Sequence, residues 1–450
     1  MIQLLTAVAL AGALFLVALR RPQDAALILL CLVPFHGLLK IAPVTISFWK
    51  EGAILAILAA SLLPRNTPSA AGYRAHLSWT APLFILVPFG IASALIAHGS
   101  DSFFPIKIAF FYLLMIFIVW RHPFTAKDKD RLITILIVTG TIAALYGLLQ
   151  QVLQGERLVA MGYEWAKEVR TTGPLLRSFG TFNQPFPFGL YLMIALLAGV
   201  SASLLEPNRL RSRLFWPLSV IMVVGLILSV VRASYIGLVV GLIVLGVTQH
   251  RRVLKLVLGV SAAAVGVIVV AGVALSNSQA AQALFSSSSL QQRLGHWTDA
   301  LRIALTHPLG TGLGSTGSSA YRIGPGLDVL NPPYQPDSQY LKIALELGPI
   351  GMALYIAVVV FIVISLQQLL HRLPTHSIDF SFVCISLAAT IAACVSAAFA
   401  TYLEIFPLDI LFWTLPAIAC CVPTAARTMS EPAQERVVNT RVPVEAADAS

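Results

Sequence analysis

Charge is scarce in this sequence. Asp, Glu, Lys and Arg make up only 11% of its 450 residues, 57% are apolar, and the mean hydropathy is +0.83. A soluble domain carries about 25% charged residues, so an ordinary water-soluble globular protein is excluded. The chain reads instead as an all-α polytopic membrane protein, helix packed on helix within lipid. Cysteine is sparse too. Cys31, Cys384, Cys394, Cys420 and Cys421 all sit in apolar runs, which excludes a disulfide framework, a CxxC pair and a zinc site and leaves small packing residues. No GxSxG, HExxH or paired-carboxylate motif is present, and no His/Asp/Glu cluster has metal-ligand spacing. The Gly-rich stretch LGTGLGSTG (309–317) is not followed by GK[ST] and is not a nucleotide loop. No cleavable leader is expected: the first apolar run has no basic n-region and ends on Arg20-Arg21-Pro22, a pattern that predicts an anchored span.

Long apolar runs are what the sequence does have. A spanning helix needs about 20 mainly apolar residues. Runs of that kind lie near 2–19, 24–41, 47–63, 78–97, 103–120, 132–154, 186–205, 214–231, 233–249, 253–275, 339–370, 378–401 and 404–423. They predict a bundle of 12 to 13 transmembrane helices. The expected division is N-terminal helices to 154, a loop at 155–185, central helices over 186–275, and a long loop at 276–338. C-terminal helices then occupy 339–424, before a tail at 425–450 whose Ala/Glu/Pro/Val composition predicts disorder.

Arg and Lys mark every second linker: Arg20-Arg21, Arg65 with Arg74, Arg121 through Arg131, Arg209/Arg211/Arg213, Arg251-Arg252 with Lys255, and Arg372. The positive-inside rule puts these linkers and the tail in the cytoplasm, and the two long loops on the opposite face. Those loops carry Arg157, Lys167, Arg170, Arg177, Arg293, Arg302 and Arg322, and Arg232 sits at a hairpin on the same side. Solvated loop charge explains such residues one by one. Arg232, alone between two apolar helices, calls for an anionic partner or a water-filled cavity. Within the second loop, Leu290, Leu294, Trp297, Leu301 and Leu305 share one helical face over 289–306. That pattern predicts an amphipathic helix lying on the membrane or lidding a cavity.

Three constellations gather on this face: RSFGTFNQPFPFGLYL (177–192), SVVRASYIG (229–237) and YQPDSQYLKIALELG (334–348). In the last, Gln339, Lys342 and Glu346 share a helical face, and Lys342 and Glu346 can pair at i, i+4. Asp337 has two readings, a helix N-cap or a base accepting a proton from a hydroxyl nucleophile. Arginines from separate loops suit a dense anion through bidentate hydrogen bonds. Together these are the parts needed to displace a diphosphate leaving group at a membrane surface.

In order, the motifs Arg177…Gly180-Thr181-Phe182-Asn183-x-Pro185…Phe188-Gly189-x-Tyr191-Leu192, Ser229-x-x-Arg232-x-x-x-x-Gly237, Arg293-x-x-x-Trp297-x-x-Ala300…His307-Pro308-Leu309-Gly310-x-Gly312-Leu313-Gly314 and Tyr340-Leu341…Glu346-Leu347-Gly348-x-x-Gly351 resemble the O-antigen ligase and polysaccharide polymerase superfamily. The resemblance covers about 177–351; the flanking helices match only in being hydrophobic. It implies a GT-C-like glycosyltransferase of the bacterial inner membrane with its active site facing the periplasm. Such an enzyme takes a glycan from an undecaprenyl diphosphate carrier, with no cofactor, metal or nucleotide sugar. The acceptor is lipid A–core in the ligase branch and another carrier-linked repeat unit in the polymerase branch. Membrane lipid is the expected surrounding, and no nucleic-acid partner is implied. By position, Arg177 and Arg232 match the family's two arginines that hold the donor diphosphate. Arg170, Asn183, Tyr340, Lys342 and Arg293 are the expected substrate contacts. The chain departs from the pattern at one point: typical members carry His-Asn where this sequence has Asp337-Ser338. A carboxylate can accept the same proton, though it is a weaker base with a reference pKa near ~3.9. That substitution favours polymerase over ligase. A lipid-linked sugar transporter is the competing reading, and a non-catalytic envelope scaffold a third. Transporters tend to show internal repeats, and none is evident here.

Overall fold

The computed structural model describes residues 2–41, 48–64, 72–172, 175–249, 251, 254–255, 259, 297–298, 300–323 and 334–424. The chain forms α1 (Ile2–Arg20), α2 (Pro22–Leu32), α3 (Trp49–Leu62), α4 (Leu83–His98), α5 (Phe103–Phe110), α6 (Leu114–Arg121) and α7 (Ala126–Ala160). There follow α8 (Pro185–Leu205), α9 (Leu210–Leu228), α10 (Arg232–Thr248), α11 (Gly317–Ile323), α12 (Gln339–Leu370), α13 (Ile378–Ala397) and α14 (Leu408–Ala419). Two small antiparallel ribbons complete the described structure, β1 (Tyr73–Ala75) with β4 (Cys421–Pro423), and β2 (Thr171–Thr172) with β3 (Leu175–Leu176). The protein is an all-α polytopic membrane protein, and seven helical stretches among the described residues are long and apolar enough to cross a bilayer. Three shorter apolar helices, Thr6–Arg20, Arg232–Thr248 and Leu408–Ala419, accompany them.

Every apolar run falls on helix except 253–275, nearly all of which lies outside the described residues, as do residues 289–296 and 299 of the amphipathic stretch 289–306 and the whole tail from 425. Several runs are interrupted. The run 24–41 changes to a tighter 3₁₀ helix at Val33–Lys40, where Pro34 removes a backbone donor. The run 339–370 breaks at Gly348, with φ 65° and ψ −172°. That left-handed φ suits glycine, and Pro349 restarts the helix without an N–H to satisfy. The last run yields only the 12 residues of α14 before passing into β4.

The chain's alternation brings the basic linkers to one end. Arg21 pairs with Asp128 at 2.7 Å and Arg131 with Asp24 at 3.0 Å, while Arg209 and Arg211 both reach Asp130 at 2.7 Å. Buried Lys129 joins Asp379 at 2.6 Å, and the β1–β4 ribbon closes the same end. Helices α8 and α13 form the centre and are mostly buried, whereas α9 is mostly exposed. Leu210, Leu214, Trp216, Val220 and Ile227 of α9 accordingly face outward, as lipid-contacting residues do. Small residues let the central helices approach: a Cβ at Gly237 of α10 would lie 2.5 Å from both Met193 Sδ and Ser396 Oγ.

Candidate active site

The end opposite the basic linkers carries the candidate site. Its first wall is the loop between α7 and α8, which Gln150 and Gln151 pin down. Gln150 accepts from the amides of Phe179 and Gly180 at 3.0 and 2.9 Å and donates to the Gly180 carbonyl at 2.9 Å. Gln151 donates to the Leu176 carbonyl and to Ser178 Oγ, both at 2.7 Å. Arg177 lies between these anchors. Its amide donates to the Arg170 carbonyl at 2.8 Å across the β2–β3 hairpin, and Ser178 N donates to Leu228 O at 2.9 Å. The half-buried guanidinium donates from Nε to Ser229 O at 3.3 Å, at the α9–α10 turn. That turn contains Val230 with φ 53°, a strained left-handed value for a β-branched residue, and then leads into Arg232 at the first position of α10. Burial, followed by the positive charges of Arg170 and Arg232, draws the Arg177 guanidinium below its ordinary pKa. Arg170 and Arg232, from two other segments, thus both repel Arg177 near the positive end of a helix dipole. Arg170 and Arg232 are solvent-exposed, and an anion relieves that repulsion.

The second wall is the start of α12. Ser338 occupies the N-cap position without a side-chain cap hydrogen bond, and exposed Asp337 immediately precedes it. The C-terminal turn of α13 ties the two walls together. Ser396 Oγ donates to Ala233 O at 2.9 Å, the next residue's carbonyl (Ala397 O) accepts from Ser338 Oγ at 3.4 Å, and Ala400 O accepts from Gln339 N at 3.0 Å. Ala233 and Ser338 are the chain neighbours of Arg232 and Asp337. One helix end therefore holds the arginine and the carboxylate on adjoining segments.

Lys342 and Glu346 pair, as their spacing predicts. Lys342 also lies 3.0 Å from Glu404, in the 3₁₀ turn Tyr402–Glu404 after α13, and all three side chains are buried. Burial above all, and then Glu346, raises the Glu404 carboxyl above its ordinary pKa, against the opposing pull of Lys342. Glu346 in turn accepts from Thr316 N at 3.1 Å and Thr316 Oγ1 at 2.7 Å. The turn 310–317 lies directly on the end of the first segment of α12: Thr311 N donates to Leu345 O at 2.8 Å and Gly312 N to Glu346 O at 3.0 Å. Thr311 and Gly312, which follow the His-Pro-Leu-Gly stretch, thus satisfy carbonyls that the break at Gly348 leaves open. A cavity of about 70 Å³ sits beside this network, with Gln339, Lys342, Glu346 and Glu404 at its polar end.

The other expected contacts are spread around this end. Asn183 is half-buried in the turn that docks on Val33–Lys40, where Thr181 Oγ1 donates to Pro34 O at 2.7 Å. Tyr340 donates its hydroxyl to Cys394 O at 2.8 Å. Lys342 is enclosed by its two carboxylates, so its observed partners are structural. Arg293 lies outside the described residues. Of the predicted amphipathic helix, residues 300–306 are helical, with Ala300 and Ala304 packed inward and Leu301 and Leu305 exposed. Sequence reasoning missed Glu404, Thr316, Gln150 and Gln151. None carries a local signal, since each partner lies at least 25 residues away in the chain. Also unforeseen, Lys50 Nζ sits 4.1 Å above the Phe406 ring and Lys107 pairs with Glu51 at 2.8 Å.

A family model described as O-antigen ligase matches residues 217–356. That span takes in Arg232, the turn 310–317, Asp337 and Glu346; Arg177, Asn183 and Glu404 fall outside it. No curated protein matches the chain.

Proposed function

The match at residues 217–356 supports membership of the O-antigen ligase and polysaccharide polymerase superfamily, whose members are membrane glycosyltransferases, and from that premise we propose a specific reaction. The enzyme moves a glycan from an undecaprenyl diphosphate carrier to a sugar hydroxyl, lengthening O-antigen or exopolysaccharide repeat units at the periplasmic face. The single observation that carries this reading is the α13 turn at Ser396–Ala397, bonded on one side beside Arg232 and on the other beside Asp337.

In this mechanism Arg232, Arg177 and Arg170 hold the donor diphosphate, and their positive charge grows in worth as the leaving group develops negative charge. Asp337 accepts the proton of the attacking hydroxyl. The hydroxyl oxygen bonds to the anomeric carbon, the carbon–oxygen bond to phosphate breaks, and undecaprenyl diphosphate leaves with the bonding pair. Asn183, Tyr340 and Arg293 are assigned to substrate contact, Lys342 to holding the site's floor. Sidedness follows from the basic linkers at the other end, which the positive-inside rule assigns to the cytoplasm.

Ligase activity towards lipid A–core is the second reading, favoured by the description of the matching family. Purified protein in lipid vesicles, given undecaprenyl diphosphate-linked repeat unit alone in the presence of EDTA, is expected to make longer carrier-linked chains. Product only on adding lipid A–core supports the ligase. Movement of donor across the vesicle with no new glycosidic bond supports a transporter and overturns the proposal.

A further inference from the structure

Asp337 lies in a short strap, next to its second anchor. At one end Gly317 N donates to Tyr334 O at 2.9 Å; at the other Ser338 Oγ and Gln339 N bond to Ala397 O and Ala400 O. The second anchor is helix-borne, but the first depends on the turn 310–317. Its last two residues are fixed from outside. Thr316, fully buried, donates both its amide and its hydroxyl to one oxygen of Glu346, which is 1% exposed. Gly317, at φ 66°, has room for no side chain, since a Cβ there would lie 2.8 Å from Glu404 Oε2. Thr316 and Gly317 are adjacent, so the carboxylate that grips one fixes the donor that grips Tyr334.

We propose that Glu346 is a positioning residue: through Thr316 and Gly317 it sets the height of the 334–338 strap and thereby aims Asp337 at the acceptor hydroxyl. The inference rests on the reading of Asp337 as proton acceptor. In this proposal Glu346 acts through the strap and not by contact with substrate. Its pairing with Lys342 is separable from this role, because Lys342 keeps Glu404 as a second partner at 3.0 Å. A carboxylate misplaced by about 1 Å is enough to slow transfer roughly 100-fold, while diphosphate binding by arginines on other segments is unaffected.

The test uses Glu346→Leu in the full-length protein, with two readouts: amide hydrogen exchange over 334–338 and the kinetics of repeat-unit transfer. Faster exchange confined to 310–317 and 334–338, with kcat down roughly 10- to 100-fold and donor KM unchanged, is the expected result. Glu346→Gln, which keeps an acceptor oxygen for Thr316, is expected to recover most of kcat. Thr316→Val removes the 2.7 Å bond while leaving all charges in place, and gives the same two readouts if Glu346→Leu fails to fold. Unchanged exchange over 334–338 overturns the proposal whatever the enzyme catalyses. Faster exchange with unchanged kcat also overturns it; if Asp337→Asn is then fully active, the functional reading falls as well, and if Asp337→Asn is inactive, that reading stands.

Discussion

Arg177 donates from Nε to the carbonyl of Ser229 at 3.3 Å, three residues before Arg232. The contact locks a loop arginine to the turn that launches α10, so two guanidinium groups separated by 55 positions share one surface. If they hold a diphosphate by paired hydrogen bonds, lysine is a poor replacement despite its charge. Arg177→Lys or Arg232→Lys is expected to lower kcat/KM for the carrier-linked donor roughly tenfold or more, given about 1.5–3 kcal/mol per charged hydrogen bond. Steady-state kinetics against donor concentration check this; parity with the parent would remove the bidentate account.

Asp337 precedes the N-cap residue Ser338 instead of occupying that position. Its side chain is exposed, and Asn keeps its size and an acceptor oxygen. Asp337→Asn is expected to fold like the parent and to lose transfer by roughly 100-fold or more, within the usual contribution of a general base. Asp337→His is expected to recover activity, since imidazole can take the same proton. Equal activity in the Asn variant would return the residue to a structural role.

Lys342 stands between two buried carboxylates, Glu346 and Glu404. Removing one partner of a buried ion pair costs about 3–5 kcal/mol. Lys342→Met is therefore expected to lower the thermal midpoint sharply and reduce the yield of monodisperse protein. Adding Glu346→Gln and Glu404→Gln to it restores neutrality, and the triple variant is expected to regain much of the loss. Size-exclusion profiles and thermal scans compare the three proteins.

Glu404 also gives a pH dependence. Its folded-state pKa is raised above the ordinary 4.5 by burial, so the folded protein binds this proton more tightly than the unfolded chain. The resulting stability is fully present below about pH 4.5 and is lost as pH rises through the folded value. Glu404→Gln removes this term and leaves Lys342 paired with Glu346. Measured as thermal midpoints across pH 4 to 8, the variant minus the parent is expected to grow more positive as pH rises, about as linkage requires. A constant difference would contradict the buried-carboxylate account.

Much of the fold was legible because burial in lipid writes itself as long apolar runs, and the basic linkers marked one end. The breaks were less legible: Gly348-Pro349 reads as a tolerable interruption in a 32-residue apolar stretch, yet it separates the short segment bearing Lys342 and Glu346 from the helix that crosses the bundle. The charges that looked misplaced in a span belong to that short segment. Within the site, Arg177, Arg232 and Asp337 stood out because charge is rare near apolar helices. Glu404 and Thr316 did not, since their meaning lies in partners 62 and 30 positions away, respectively. Tertiary pairing of that range leaves no periodicity to read.

The central claim is that Arg177 and Arg232 together grip a diphosphate that Asp337-assisted attack expels. The direct measurement is the initial rate of glycosidic bond formation from undecaprenyl diphosphate-linked repeat unit, in vesicles carrying equal amounts of folded parent or Arg177→Ala/Arg232→Ala protein. The account predicts rapid chain extension by the parent and none above background by the double variant. Extension at the parental rate by the double variant would contradict it.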